Sequence, residues 1–283
     1  MKFGGTSVAD IARIRMVAKR IKKDLSNNNQ IIAVVSAMAG YTNELTREIE
    51  NISPLYDARE YSAVVSTGEN VTAGLLAMIL QEMSVNARSW QGWQVPINTS
   101  EEYSSARITN IDTSNLLSKF NEGMEVAVIA GFQGLASDGR ITTLGRGGSD
   151  TSAVALSAAL NAERCDIFTD VNGIYTTDPR ICPKARKLEK ISYEEMLELA
   201  SLGAKVLQTR SVELAMNQSV RLQVRSSFKN LPGTMVVNED EILEKQVVSG
   251  IAYSRDEAKI TLVDVRDRPG VAAAIFGPLA KAN

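Results

Sequence analysis

Strand-like runs alternate with helical segments from the start of the chain to about residue 235. Ile31 to Val35 is a β-branched run, and Glu125 to Ala130 and Asp166 to Thr169 are further apolar runs of strand length. The segment Ala9 to Leu25 carries apolar residues at helical spacing, with Arg and Lys on its other face. This alternation predicts an α/β fold with a mainly parallel sheet that helices cover on both faces.

Further helices are predicted between and after these strands. Thr151 to Leu160 is Ala-rich, and Ser192 with Glu195 forms a capping box for a helix that ends near Gly203. The segment Gly203 to Lys205 is interpreted as the N-terminus of the next helix. In such a fold, the loops that follow the strands tend to hold ligands.

The character of the chain changes near Val247. Two strands, Val248 to Tyr253 and Lys259 to Val265, are predicted before an apolar helix from Val271 to Ala282. A unit of two strands and one helix is too small to close a core by itself. We therefore expect a large domain over residues 1–240 and an incomplete second domain over residues 247–283. We also expect a shortened start, because Met1 stands directly before Lys2 with almost no preceding strand.

The composition excludes several classes of function. Histidine is absent from all 283 residues, so a Ser-His-Asp triad, a His-ligated zinc site and an imidazole base are excluded. The net charge is −2 with scattered Lys and Arg, which argues against a nucleic-acid partner. Apolar runs such as Gly74 to Leu80 are too short to span a bilayer. The two cysteines, Cys165 and Cys182, form no metal-ligand cluster and suit a reducing cytoplasm.

A glycine-rich turn from Gly145 to Asp150 leads into the predicted helix at Thr151. Glycines let backbone N–H groups approach an anion, and a helix N-terminus adds partial positive charge, so the turn suits phosphate or carboxylate. An ordinary tight turn with Ser149 or Asp150 as N-cap explains the same residues. Neither this turn nor Lys2 to Ser7 matches the P-loop or the dinucleotide-binding fingerprint.

Three other features gain meaning only in combination. The loop from Thr169 to Arg180 offers hydroxyls, an aromatic ring and an arginine to a nucleotide, although Asn-Gly and Asp-Pro turns account for it equally. Lys205 could meet a phosphate or be a surface lysine. Glu69 precedes an apolar helix, where a first-turn carboxylate ordinarily complements the helix dipole.

Five segments together resemble the aspartate kinases of the amino acid kinase superfamily, in the family's order. This resemblance covers nearly the whole chain and implies a three-layer α/β/α sandwich followed by the start of an ACT-like α+β regulatory domain. It also implies a homo-oligomer, or association with a longer subunit of the same family. The segments are Lys2 to Ser7, Val35 to Met38, Leu144 to Asp150, Thr169 to Arg180 and Gly203 to Leu207.

The resemblance implies phosphorylation of the side-chain carboxylate of L-aspartate by ATP with Mg²⁺, the first step towards lysine, threonine and methionine. Lys2 and Lys205 are expected to neutralise the transferring phosphoryl group, with Asp150 holding the lysines. Arg146 is expected to bind the α-carboxylate and Glu69 the α-ammonium. The remaining substrate residues are Ser36, Thr42, Phe132 and Ser149, and ATP is expected at Lys2, Gly4, Gly5, Thr6, Thr169, Asp170, Tyr175, Arg180 and Lys205.

Two alternatives stay open at this point. One is a sister kinase acting on glutamate, N-acetylglutamate, carbamate or a nucleoside monophosphate. Arg146 together with Glu69 favours a free amino acid, because the pair complements both charged α-groups. The other is a non-catalytic regulatory or binding subunit that has kept the fold.

Overall fold

The chain divides into two compact units, Met1–Tyr253 and Ser254–Asn283. The first unit contains all the strands described below, and the second contains the C-terminal helix. The structure is a computed structural model, and it describes residues 1–25, 29–204, 206–242, 250–253 and 269–282.

The first unit is built on an eight-stranded sheet with the order β10-β12-β11-β9-β1-β2-β6-β3. Every neighbouring pair is parallel except β11 and β12, so a mainly parallel sheet is confirmed. The strands are β1 (Lys2–Phe3), β2 (Ile31–Val35), β3 (Ala87–Trp90), β6 (Val126–Ala130), β9 (Cys165–Thr169), β10 (Lys190–Ser192), β11 (Leu222–Ser226) and β12 (Thr234–Val237).

A smaller four-stranded sheet has the order β5-β4-β7-β8. Only β4 and β7 pair in parallel within it. Because β7 follows β6 after two residues, this sheet extends from the end of a central strand. Its strands are β4 (Ile97–Thr99), β5 (Ile108–Ile111), β7 (Gln133–Leu135) and β8 (Ile141–Thr143).

Helices cover both faces of the large sheet, as predicted. Alternate residues of β2 point to opposite sides, so that Ala33 and Val35 pack with one cluster and Val34 with the other. The first cluster contains α1 and α4, and the second contains α5, α6, α7 and α8. The helices are α1 (Ile11–Leu25), α2 (Tyr41–Ile52), α3 (Ala58–Val65), α4 (Thr67–Glu82), α5 (Ser114–Asn121), α6 (Gly148–Ala159), α7 (Tyr193–Ser201), α8 (Thr209–Asn217) and α9 (Val271–Ala282).

Several predicted boundaries differ from those observed. Helix α6 begins at Gly148 rather than Thr151: the left-handed turn at Gly147 immediately precedes it, and Ser149 and Asp150 belong to its first turn. The prediction that Gly203 starts a helix is wrong. Among the described residues α8 begins at Thr209, with Gln208 as its N-cap, and Gly203 follows the end of α7.

The predictions for the C-terminal segment are tested only in part. Helix α9 has the predicted bounds, but residues 250–253 of the predicted strand Val248 to Tyr253 are not in a strand. The predicted strand Lys259 to Val265 lies outside the described residues.

Helices α3 and α4 run on from Ala58 to Glu82, and this stretch of 25 residues is apolar enough to cross a membrane by length and composition alone. Its apolar window is 56% buried inside the protein, as in the core helix of a soluble protein. The length and composition of one such stretch are weak evidence for a membrane span. Helix α4 packs against α1 and β3.

The capping box at the start of α7 provides a test of the fold. Ser192 Oγ accepts the N–H of Glu195, and the Glu195 carboxylate accepts the N–H of Ser192. Ser192→Ala should lower the free energy of unfolding by about 1 kcal/mol, because an N–H of the first turn loses its acceptor. Urea denaturation measures this. Ser201→Ala at the exposed end of the same helix is the control, with an expected change in the free energy of unfolding within about 0.5 kcal/mol. An equal loss of stability in both variants would contradict the role of Ser192 as the N-cap of α7.

Candidate active site

The site lies at the carboxyl edge of the central parallel strands. In the register of the sheet, Phe3 at the end of β1 stands beside Val35 of β2 and Phe168 of β9. The loops after β1, β2, β6 and β9 therefore emerge together, since parallel strands end at the same edge. Most residues predicted for the site belong to these loops or to the first turn of α6.

A buried ion pair joins β1 to α6. Lys2 Nζ lies 2.6 Å from Asp150 Oδ1, and the two side chains are only 12% and 10% exposed. A buried charge is costly unless it is paired, so each group depends on the other. The Lys2 ammonium also lies over Gly4, where an added Cβ would be 3.4 Å from Nζ. The pair thus brings a fixed cation to the glycine turn after β1.

Close backbone contacts around this pair require glycine. A Cβ at Gly5 would lie 2.9 Å from the carbonyl oxygen of Ala37, which closes the gap between the loops after β1 and β2. A Cβ at Gly131 would lie 2.9 Å from Ser149 Oγ, where the end of β6 meets α6. Side chains at either position would force these loops apart.

The turn before α6 presents Arg146 between two left-handed glycines. Gly145 has φ +76° and Gly147 has φ +73°, a conformation that residues with a Cβ rarely adopt. Arg146 is exposed, and with the described residues its guanidinium makes no hydrogen bond or ion pair. It is therefore available to a ligand, beside the partial positive charge at the N-terminus of α6.

Glu69 lies in the first turn of α4 and is 3% exposed. Its Oε1 accepts the backbone N–H of Ala37 at 2.9 Å, whereas its Oε2 has no hydrogen-bond partner among the described residues. Burial raises the pKa of the Glu69 carboxyl to about 7, against the opposing effects of the Ala37 hydrogen bond and of Lys2. A buried oxygen without a donor is suited to receive a cation from a ligand.

These groups border a cleft of about 410 Å³. It unites the six residues predicted for the amino acid substrate with Lys2, Gly5 and Asp150, although those residues are dispersed in the sequence. Other residues complete its wall, namely Ala37, Met38, Ala39, Gly40, Asn43, Gly145, Gly147, Gly148 and Gln208. The six substrate residues are Ser36, Thr42, Glu69, Phe132, Arg146 and Ser149.

Phe132 has a strained backbone for a residue with a side chain, with φ +68°. Its N–H donates to Ser152 Oγ at 3.1 Å, and its carbonyl accepts the N–H of Leu144 at 2.8 Å. The surrounding structure therefore fixes this conformation, and the ring is held at the wall of the cleft.

The residues predicted for the nucleotide are spread along the same edge, and several of them lie outside this cleft. Thr169 ends β9, and its hydroxyl donates to Asp170 at 3.1 Å. Tyr175 is half-buried, with its hydroxyl 3.5 Å from the Asn172 amide nitrogen. Arg180 is paired with Asp178, and its side chain is 87% exposed. Thr6 is exposed beyond the glycine turn, and Lys205 lies outside the described residues.

Two residues at the start of α8, its N-cap Gln208 and Arg210 in its first turn, were not predicted from the sequence. Gln208 packs on the turn that carries Arg146, since a Cβ at Gly147 would lie 2.2 Å from Gln208 Cγ. Arg210 donates to the carbonyl oxygens of Leu144 and Ala106. The run Gln208-Thr209-Arg210 matches no sequence motif. Its residues matter through tertiary contacts, which a local sequence pattern does not predict.

The arrangement suits a small zwitterion placed against an anionic group. Arg146 is a cation without a partner among the described residues and Glu69 is a buried carboxyl group, so the cleft offers complementary charges for a carboxylate and an ammonium. Lys2 and the glycine turn stand beside them with positive potential for a phosphate. Within the described residues no group of three acidic, Cys or His side chains could hold a metal ion. Mg²⁺, which keeps several waters, would have to be held largely by phosphate oxygens.

The chain is similar to known amino acid kinases. The family model described as the amino acid kinase family matches residues 1–226. An aspartate kinase of Pseudomonas putida is 52% identical over 283 residues, which are 100% of this chain and 69% of that protein. Aspartate kinase from Synechocystis superimposes with a TM-score of 0.74 at 49% identity, covering 84% of this chain and 39% of that one.

A second solved structure, E. coli aspartokinase III in complex with aspartate and ADP, has a TM-score of 0.73 at 32% identity. The match covers 84% of this chain and 64% of the E. coli chain. The family model spans seven of the eight strands of the large sheet and all the residues of the cleft, and the P. putida relative matches from end to end of this chain. The chain therefore belongs to the amino acid kinase family and, within it, to the aspartate kinases.

Proposed function

We propose that this chain transfers the γ-phosphoryl group of ATP to the side-chain carboxylate of L-aspartate, giving 4-phospho-L-aspartate and ADP. The observation that carries the proposal is the single cleft that holds Arg146, Glu69 and the Lys2–Asp150 pair. The similarity to aspartate kinases, one of them in complex with aspartate and ADP, supports the same substrates. The product would enter the synthesis of lysine, threonine and methionine.

Aspartate recognition is assigned to opposite charges at two points. Arg146 takes the α-carboxylate, for which a planar guanidinium offers two parallel donors. Glu69 takes the α-ammonium through its buried Oε2, which has no hydrogen-bond donor among the described residues. Ser36, Thr42, Ser149 and the Phe132 ring line the space between them.

ATP is assigned to the carboxyl edge next to the cleft. The phosphates lie against Lys2, Gly4, Gly5 and Thr6. At this end of β1 the close approach of Gly5 to Ala37 leaves no room for side chains, so backbone N–H groups face the phosphates. Lys205 is a second cation in this proposal. The base and ribose lie along the loop after β9, which carries Thr169, Asp170, Tyr175 and Arg180.

No general base is needed for this reaction. A side-chain carboxylate with an ordinary pKa of about 3.9 is already ionised at neutral pH, so one of its oxygens attacks the γ-phosphorus without losing a proton. The bond from the γ-phosphorus to the bridging oxygen breaks, and the electron pair leaves on ADP. Positioning and charge neutralisation then supply the catalysis, which agrees with the absence of histidine.

Mg²⁺ supplies neutralisation of the phosphate charge when it is bound with ATP. The protein's own contribution is to fix Lys2, because Asp150 holds the ammonium at 2.6 Å. Lys2 can then approach the transferring phosphoryl group without reorganising. Charge that is preorganised in this way stabilises a transition state most effectively.

The organisation of the whole protein is also proposed. Residues 1–240 form the catalytic domain, and residues 247–283 begin an ACT-like regulatory domain whose loop includes Arg268, outside the described residues. We also propose a homo-oligomer, or association with a longer subunit of the same family. We place the protein in the cytoplasm, with small molecules rather than nucleic acid or membrane as its partners.

The direct test is aspartate-dependent release of ADP, with the acyl phosphate trapped by hydroxylamine as the aspartyl hydroxamate. We expect product with L-aspartate and at least about 100-fold less with L-glutamate, because an extra methylene moves the reacting carboxylate out of position. Equal activity with both amino acids would contradict the substrate assignment.

Removal of Lys2 should have two separable effects. Lys2→Met leaves the buried Asp150 carboxylate unpaired and should destabilise the fold by about 3 kcal/mol or more. The double variant Lys2→Met with Asp150→Asn removes both charges and should recover most of that stability. Its kcat should still be at least about 100-fold below wild type, because the preorganised cation is missing.

Thermal unfolding and the hydroxamate assay measure these effects on the same preparations. Recovery of activity together with stability in the double variant would remove Lys2 from catalysis and leave it a structural role.

Glu69 predicts a pH dependence of aspartate binding. Its pKa of about 7 means that the carboxyl is protonated below neutrality in the free protein, and a proton must leave before the α-ammonium can bind. The apparent Kd for aspartate should therefore rise as the pH falls through 7, approaching about tenfold per pH unit. Titration calorimetry between pH 5.5 and 8.5 measures this.

Glu69→Gln is the matched control. It keeps an oxygen for the Ala37 N–H but cannot ionise, so binding should be weak and flat across the same pH range. A wild-type Kd that does not change with pH, or an unchanged slope in Glu69→Gln, would contradict the role of Glu69.

A further inference from the structure

Arg210 occupies an unusual position for a half-buried arginine. It lies in the first turn of α8, and its guanidinium meets neutral carbonyl groups instead of a carboxylate. With the described residues it forms no salt bridge. Burial lowers the pKa of Arg210 and the neighbouring Arg107 lowers it further, with a smaller opposing effect from Glu213, so the cation is held there at some cost. A half-buried charge that makes both of its strong hydrogen bonds to backbone carbonyls calls for an explanation beyond packing.

The two carbonyls identify what Arg210 holds. Nη1 donates to Leu144 O at 2.6 Å, and Nη2 donates to Ala106 O at 2.7 Å. Leu144 is the residue directly before Gly145, and its own N–H is already bound by Phe132. The peptide that begins the Arg146 turn is therefore fixed on one side by a cleft residue and on the other by Arg210.

The second carbonyl, Ala106 O, belongs to a segment that supports the same turn. Ala106 N–H donates to Thr143 O at 2.9 Å, and a Cβ at Gly145 would lie 3.4 Å from Ser104 O. The segment around Ala106 is thus the surface on which the turn rests. The planar guanidinium reaches both backbone segments at once because its two terminal nitrogens, Nη1 and Nη2, each donate to one of the carbonyls.

The same turn of α8 also touches the other end of the Arg146 turn. Gln208, the N-cap, makes no capping hydrogen bond with its side chain and packs on Gly147 instead. Leu144 and Gly147 flank Arg146 on both sides, and α8 contacts both of them. Arg146 itself has no bond to the described residues, so its position depends on the backbone that carries it.

We propose that Arg210 is a positioning residue for aspartate: it fixes the turn that carries Arg146 through Leu144 O and Ala106 O, and it sets the affinity for the α-carboxylate without touching the substrate. This inference rests on the proposed function for the identity of the ligand. The contacts that carry it involve the protein alone.

The test uses Arg210→Met, which keeps the length of the aliphatic stem, and Arg210→Lys, which keeps the charge but cannot span both carbonyls. KM for aspartate should rise about 10- to 100-fold in Arg210→Met and less in Arg210→Lys. KM for ATP should stay within about twofold, because within the described residues no hydrogen bond joins the predicted phosphate turn after β1 to α8. Arg221→Met, which loses an exposed ion pair to Glu241 on the opposite edge, is the control and should change neither KM.

A double-mutant cycle separates positioning from a general structural role. If Arg210 acts through Arg146, the effect of Arg210→Met on aspartate KM should largely vanish in an Arg146→Ala background. Additive effects, or an equal rise of KM for both substrates, would overturn the proposal. If Arg210→Met does not fold, the same comparison with Arg210→Lys decides it.

Hydrogen exchange tests the positioning without any substrate. Amides of residues 144–148 should exchange faster in Arg210→Met, while those of the central strand β6 should exchange at the wild-type rate. Unchanged exchange at residues 144–148 would overturn the inference even in an active enzyme. Faster exchange in a protein that does not phosphorylate aspartate would support the positioning and reject the proposed function.

Discussion

The ion pair between Lys2 and Asp150 is the interaction on which the site depends. It connects the shortest central strand to the first turn of α6, and both side chains are almost excluded from water. Neither charge is tolerable there alone, so the strand end and the helix must meet in one arrangement. That arrangement also directs the ammonium over Gly4. A phosphate that binds there meets a cation already in place, so binding requires little rearrangement of the protein.

The rest of the cleft follows from how closely the loops approach one another. Gly5 against Ala37 and Gly131 against Ser149 bring four chain segments together where no side chain would fit. Glu69 is then buried against the Ala37 amide with one oxygen unsatisfied. The protein bears a cost for this carboxyl, which its raised pKa expresses, and a bound ammonium would offset that cost.

Much of this could be predicted from the sequence, and the limits have physical causes. Ile31 to Val35 is a fully apolar β-branched run, and β2 has those bounds. The substrate residues were predicted through family resemblance, and one cleft contains all six. The start of α6 was misplaced because its N-cap, Gly147, has no side-chain acceptor and so leaves no capping signal in the sequence, whereas Ser149 and Asp150 have one and lie inside the helix. Gln208 and Arg210 were missed, because their partners are about 60 to 100 residues away in the sequence, where no periodicity reaches.

In the proposed reaction Lys2, beside the glycine turn of β1, meets the transferring phosphoryl group while aspartate lies between Arg146 and Glu69. A crystal structure with L-aspartate, Mg²⁺ and a non-hydrolysable ATP analogue tests it most directly. We predict Lys2 Nζ within hydrogen-bond distance of a γ-phosphate oxygen, Lys205 on the same triphosphate, and a side-chain oxygen of aspartate about 3 to 3.5 Å from the γ-phosphorus. A triphosphate bound away from Lys2, or ammonium groups of Lys2 and Lys205 on opposite sides of the molecule, would contradict the account.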